Sequence, residues 1–331
     1  MEESLTMSKS IALAMSEEMR RDPAVLLWGL DVGAYGGAYG ASRGLYEEFG
    51  AERVIDMPIS EAGYVGLGVG SAVTGLRPIV ELEYNDWITI ASDQLVNQAA
   101  NIRHQFGGKL KVPMVLRAPC GGYTYEAQHH SHMFESWFAN IPGLKVILPS
   151  NARNAKGLLK TAIRDDNPVI FLEHKKLYGS RAAVPVDTEF LLPLGKAEIA
   201  REGKDLTIVT YSYMTSLVLK SAAELEKEGF DVEVVDLLSI KPMDADTIVN
   251  SVKKTKRLLV AQENWLTCSV ASEVAALAAD RAFGDLRAPV KRIGNKETPI
   301  PFSPPLADFV HPQIEDIVRA AKETTLYSRS E

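Results

Sequence analysis

Two cysteines in 331 residues, Cys120 and Cys268, are too few and too far apart for a disulfide framework or a zinc site. As a free thiol, Cys268 is expected to be buried like a small hydrophobe. Long apolar runs are also missing. No stretch of about 18 uninterrupted apolar residues occurs, and no signal-peptide pattern opens the chain. The chain therefore reads as cytoplasmic, with no membrane partner. Basic runs are absent too: 36 basic residues stand against 43 acidic ones, a net charge of −7. That balance argues against nucleic acid as a partner. G-x-x-x-x-G-K-[ST] occurs nowhere, so phosphoryl transfer on that pattern is disfavoured. There is no internal repeat and no low-complexity segment.

What is present is an ordinary globular composition, 46% hydrophobic and 24% charged, in a chain long enough for two domains. Strand and helix signals alternate. Residues 5–21 read as a helix, with Leu5, Ile11, Met15 and Met19 at near-helical spacing and Asp22-Pro23 as the stop. Short apolar runs at 24–30, 54–59, 77–84, 112–118, 144–149 and 168–174 read as strands. Helices are expected at 61–74, 89–105 and from Asn151 to about 165. Such alternation indicates a parallel sheet covered on both faces. Residues 176–202 are looser and hold the domain boundary. A second series follows, with strands at 206–211, 232–237 and 257–263 and helices at 214–228, 244–254 and 268–283. Proline makes 298–306 irregular, and a helix over 312–322 closes the chain. The domains are expected at 1–185 and 203–331, joined by 186–202.

The segment "DMPISEAGYVGLGVG" carries Gly63, Gly66, Gly68 and Gly70. A dinucleotide fingerprint needs its glycines in the turn right after the strand. Here they fall inside the helix that Ser60 caps, so they do not form a phosphate turn. Glycine inside a helix costs about 0.5–1 kcal/mol relative to alanine. Four of them suggest close approach by another backbone. Glu61 opens this helix. An acid there is favoured by the helix dipole; it also stands where open α/β sheets place ligands. A second cluster, His129, His130 and His132, follows the glycine- and aromatic-rich "PCGGYTY". The helical H-E-x-x-H metal pattern is absent. A histidine on a loop after a strand suits proton donation near neutral pH. Surface or packing roles remain the default for two of the three.

"DMPISEAGYVGLGVGSAVTGLRPIVE", "DQLVNQAA", "QHHSHMFESWFANIPGLKVILPSNARNAKGLLKTAIRDDNPVIFLEHKKLYG" and "LLSIKPMDADTI" closely resemble one family. It is the beta subunit of the thiamine-diphosphate-dependent, decarboxylating component of 2-oxo acid dehydrogenase complexes, which includes pyruvate, branched-chain 2-oxo acid and acetoin dehydrogenases. The resemblance runs from about residue 5 to 322. It implies a transketolase-like α/β fold: a pyrimidine-binding parallel-sheet domain, then a C-terminal α/β domain. It implies an alpha partner that holds the diphosphate and magnesium, since this chain lacks that partner's G-D-G motif. A heterotetramer of two alpha and two beta chains follows, with a lipoyl-bearing acyltransferase as further partner and a small 2-oxo acid or acetoin as substrate. The alternative is a non-catalytic structural or regulatory paralogue. A flavin- or nicotinamide-binding protein is disfavoured by the glycine placement.

By that resemblance, Glu61 hydrogen-bonds the cofactor's aminopyrimidine nitrogen, with Ile59 and Trp87 beside the pyrimidine. Counting back from Pro142-Gly143 makes His130 the active-site histidine, with His129 one residue away as the competing choice. "AIRDDN" resembles a structural potassium site using the carbonyls of Met114, Ala162 and Ile163 with Asp165 and Asn167. Leu30, Ile90, Cys120 and the segment 263–273 depart from the family pattern.

Overall fold

The computed structural model describes residues 2–328, and the chain divides into two compact units. The first runs to Gly121 and resumes over Trp137–Leu194; the second comprises Gly122–Ser136 and the chain from Gly195 onward. Among the described residues, no helix is long and apolar enough to cross a membrane.

In the first unit, β1 (Glu2–Thr6) leads into α1 (Met7–Arg21). Thr6 caps the helix, its hydroxyl accepting from the Lys9 N–H, and Asp22-Pro23 ends it. Met7, Ile11, Met15 and Met19 face the core at helical spacing. The helix expected from residue 5 starts at Met7, because Leu5 and Thr6 pair instead with Ala182 and Arg181 of an antiparallel strand, β8 (Arg181–Pro185).

β2 (Val25–Gly29), α2 (Leu45–Phe49), β3 (Val54–Asp56), α3 (Glu61–Val73) and β4 (Arg77–Glu81) follow. The helix expected over 89–105 runs over 92–105. A 3₁₀ turn, Asn85–Thr89, precedes it, and within it Gln94–Ala99 widen to a π turn before Ala100–Gln105 (α4) resume the α form. The Asn101 amide donates to the Val96 carbonyl at 2.8 Å, a side-chain bond that holds the widened turn open.

β5 (Val115–Cys120), α5 (Glu135–Ala139), β6 (Lys145–Ile147), α6 (Ala152–Arg164) and β7 (Val169–His174) complete the series. Within this unit the strands run β6–β7–β5–β4–β2–β3, every neighbouring pair parallel. Nearly unbroken apolar strands are what a sheet covered on both faces demands. α1 packs on α6 with charges between them: Lys156 meets Glu17 at 2.8 Å, and Glu18 takes Arg164 at 2.7 Å and Arg21 at 2.9 Å.

The second unit's sheet is ordered β14–β13–β10–β11–β9. β10 (Leu206–Thr210), β11 (Val232–Asp236), β13 (Leu258–Trp265) and β14 (Lys291–Asn295) are parallel; β9 (Glu198–Arg201) is an antiparallel edge. α7 (Tyr213–Lys227), α8 (Ala245–Thr255), α9 (Val270–Ala282), α10 (Pro304–Val310) and α11 (Ile314–Thr325) pack around it, and β12 (Ser239–Lys241) is a short strand before α8. Cys120 is buried, but Cys268 is exposed, contrary to expectation. It occupies a left-handed turn (φ 51°) just before Ser269, the N-cap of α9, and that turn lies at the surface.

Candidate active site

In the first unit the site is built at the carboxyl ends of β2, β3 and β4. Gly29 pairs with both Asp56 and Glu81, which sets three strand ends level. Ligands of open α/β sheets bind at this edge. Glu61 lies five residues past Asp56, at the first position of α3, and is only 7% exposed. Ser60 is the N-cap by position but makes no side-chain capping bond.

α3 is fixed to the sheet by the buried Trp28 indole, which donates to the Tyr64 carbonyl at 3.0 Å. Gly68 makes the close approach possible. A Cβ there would stand 2.8 Å from Val80 and 3.3 Å from Met114. The neighbour is therefore a set of sheet side chains, not the second backbone expected from the sequence. Gly63, Leu67 and Gly70 form the helix's exposed face, and nothing lies within 4 Å of Gly70's missing Cβ.

The electrostatics here are acidic. Burial, and then the charges of Glu61, Glu83 and Glu81, push the Tyr64 phenol well above its ordinary value. Glu83 is raised by burial and by Asp31, Glu61 and Glu81. Beneath them Arg117 is buried between Glu81 (2.5 Å) and Glu173 (2.7 Å). Burial disfavours its charge, but the two carboxylates outweigh that and keep it ionised. Glu83 escaped the sequence reading; its signal was the acid alternation Glu81, Glu83 at a strand end.

Trp87 is half-buried and packs edge-on against Tyr84, centroids 5.2 Å apart. Ile59 and Ile90 are unusually open for their type, 77% and 54% exposed. Exposed apolar side chains together with a buried carboxyl suit an aromatic ring bearing hydrogen-bonding nitrogens.

The residues expected to hold a cation are also in this unit. The Met114 carbonyl accepts from Val169, that of Ala162 from Asp165, and that of Ile163 from Arg77. The side-chain oxygens are committed: Asp165 to Lys145 and Asn167, and Asn167 to Arg103 at 2.6 Å. Each carbonyl keeps a second lone pair. Among the described residues, no group of three or more His, Cys, Asp or Glu could hold a metal ion.

The histidines belong to the second unit. Gln128–His130 form a 3₁₀ turn, preceded by left-handed Tyr125 and Ala127. His129 is exposed and His130 half-buried. His132 stacks on Phe134, 5.1 Å between centroids, and tilts against Trp265. That places it in packing.

With this geometry in view, two family models match the chain: the pyrimidine-binding domain of transketolase over residues 3–181, and the transketolase C-terminal domain over 195–317. The chain is 45% identical to the pyruvate dehydrogenase E1 component subunit beta of Rhizobium meliloti over 96% of its length and 69% of the relative's. It belongs to the E1 beta-subunit family. Membership extends to other branches. The acetoin:2,6-dichlorophenolindophenol oxidoreductase subunit beta of Cupriavidus necator is 43% identical, covering 97% of both chains. The mitochondrial pyruvate dehydrogenase E1 subunit beta-1 of Arabidopsis thaliana is 44% identical over 98% of this chain and 90% of its own. A solved split-gene transketolase, titled an inactive beta4 tetramer, superposes with a TM-score of 0.79 at 21% identity, over 98% of this chain and 99% of that one. It shares the fold with this E1 beta-subunit family member.

Proposed function

We propose that this chain is the beta subunit of a thiamine-diphosphate-dependent dehydrogenase. It cleaves a C–C bond of a small 2-oxo acid or acetoin and passes the acyl group to a lipoyl-bearing acyltransferase, working with an alpha subunit in a heterotetramer. The observation that carries the reading is the buried Glu61 carboxyl at the start of α3, at the carboxyl edge of a parallel sheet, in a chain of this family.

Thiamine diphosphate, when bound, would supply an electron sink for breaking the C–C bond. This chain's residues do the rest of what is assigned to it. Glu61 holds and returns a proton at the pyrimidine ring nitrogen. Ile59 and Trp87 give the ring an apolar seat and exclude water from it. His130, half-buried where His129 is exposed, donates protons during acyl handling. The exposed face of α3, at Gly63, Leu67 and Gly70, is where the alpha chain seats closely. A potassium ion bracing the turn at 162–167 would be held by the carbonyls of Met114, Ala162 and Ile163 together with Asp165 and Asn167, whose oxygens keep lone pairs beyond their bonds to Lys145, Asn167 and Arg103.

The test is to reconstitute the chain with an alpha partner, thiamine diphosphate and magnesium, and to follow dye reduction by 2-oxo acids and acetoin. Glu61→Gln should lower turnover by roughly 10²–10⁴-fold. Full activity in that variant refutes the proton role. A folded wild-type mixture that binds no cofactor and turns over none of the substrates refutes the whole reading.

A further inference from the structure

The buried carboxyl of Glu135 has no part in the chemistry above, yet its surroundings are specific. It is 0% exposed. Its Oε1 accepts from the Tyr211 hydroxyl at 2.8 Å and from the Asn264 amide at 2.9 Å. The same amide donates to the Met133 carbonyl at 2.8 Å. Asn264 is in turn fixed, its side-chain oxygen accepting from the Trp265 N–H at 2.8 Å. Thus the residues just after the histidines are tied to β13 and to the residue that follows β10. The other end of the segment is moored separately. Gly122 N–H donates to Glu263 at 2.5 Å, the Tyr123 hydroxyl to the Pro312 carbonyl at 2.7 Å, and the Tyr125 hydroxyl to Asp308 at 2.9 Å. His129 and His130 lie between these two anchorages.

We propose that Glu135 is a positioning residue: its hydrogen bonds to Tyr211 and Asn264 hold the segment so that His130 is presented for acyl transfer. This rests on the reading of the chain as an E1 beta subunit with His130 in acyl handling. Burial raises its proton affinity above the ordinary carboxyl value, against the bonds from Asn264, Tyr211 and its own backbone that lower it, and the charge of Glu263 adds to the rise. The second oxygen, Oε2, is buried without a hydrogen-bond partner among the described residues. An ionised carboxylate in that setting would be far costlier than a neutral one. Both bonds are accepted by one oxygen, Oε1, a role that a glutamine carbonyl can also fill.

The experiment uses the reconstituted complex and two rates: dye-linked substrate oxidation, and reductive acylation of a lipoyl domain. Glu135→Gln should stay within about twofold of wild type in both, with an unchanged pH profile. Glu135→Ala and Tyr211→Phe should lower kcat for lipoyl acylation by about tenfold, as misplacement of a reacting group does. KM for the lipoyl domain and the dye-linked rate should hold. A loss shared equally by both rates would mean mere destabilisation and overturn the proposal. So would a glutamine variant as impaired as the alanine one, or three variants all matching wild type. If Glu135→Ala does not fold, Tyr211→Phe, which removes one hydroxyl, decides the matter. A wild-type complex inactive in both assays refutes the E1 beta-subunit reading and this inference with it. An active wild type beside unaffected variants refutes the inference alone.

Discussion

Gly68 and Gly70 lie two residues apart in α3, and the same substitution at each should have opposite effects. At Gly68 an added Cβ would stand 2.8 Å from Val80 Cγ2, closer than real contacts allow, and 3.3 Å from Met114 Cε. Met114 ends in a flexible methyl that can yield. Val80 is β-branched, fully buried and held in β4 between β2 and β5, so it cannot. Overpacking of this kind costs about 1–3 kcal/mol. Replacing a mid-helix glycine returns about 0.5–1 kcal/mol. Gly68→Ala should therefore be destabilising, by up to about 2.5 kcal/mol. At Gly70 nothing lies within 4 Å, so only the helix gain remains. Gly70→Ala should stabilise the isolated chain by about 0.5–1 kcal/mol. Urea melts of both variants, followed by circular dichroism, measure the difference. Two variants shifted in the same direction would refute the claim that Val80 sets the helix–sheet distance. Gly70→Ala has a second consequence: it should weaken association with the alpha chain despite its greater stability, read by analytical ultracentrifugation.

The carbonyl set at Met114, Ala162 and Ile163 predicts a melting temperature higher in potassium than in choline chloride at equal ionic strength; ligand at 100 times its Kd contributes about 2.7 kcal/mol. Equal melting temperatures would remove potassium from the account. Glu83 offers a pH test. Its folded-state pKa lies above the ordinary carboxyl value, so the folded protein holds the proton more tightly than the unfolded one. Stability from this group is complete at low pH and is lost as pH rises through the folded pKa. Glu83→Gln should thus match wild type near about pH 4 and exceed it near about pH 8. The gain should be no more than about 1 kcal/mol, because the group is partly exposed and solvent-screened. A gain that grows toward low pH would reverse the assignment.

The elements legible in the sequence were those whose signals are local. Asp22-Pro23 stops α1, Asn151 caps α6 with its side chain on the Asn154 N–H, and α3 begins at Glu61 with its glycines inside the helix. Helical spacing and capping chemistry act over a single turn, so a short window contains them. The order of the family motifs likewise points to the transketolase-like fold. What failed locally failed for reasons of partnership. Leu5 left the helix because a strand some 180 positions away, β8, paired with it. The helix expected over 89–105 formed over 92–105 but widened to a π turn at Gln94–Ala99, and Cys268 stands at the surface because the turn before α9 lies there.

The two acids make the contrast plain. Glu61 could be placed at a helix start from its neighbours alone. That Glu135 is wholly buried, and that its partners are Tyr211 and Asn264, 76 and 129 residues further on, was decided only by the tertiary structure. Burial and long-range hydrogen bonding belong to the folded chain: no pattern within "HMFESWF" specifies which distant side chains will meet the acid, and packing alone removes the water around it.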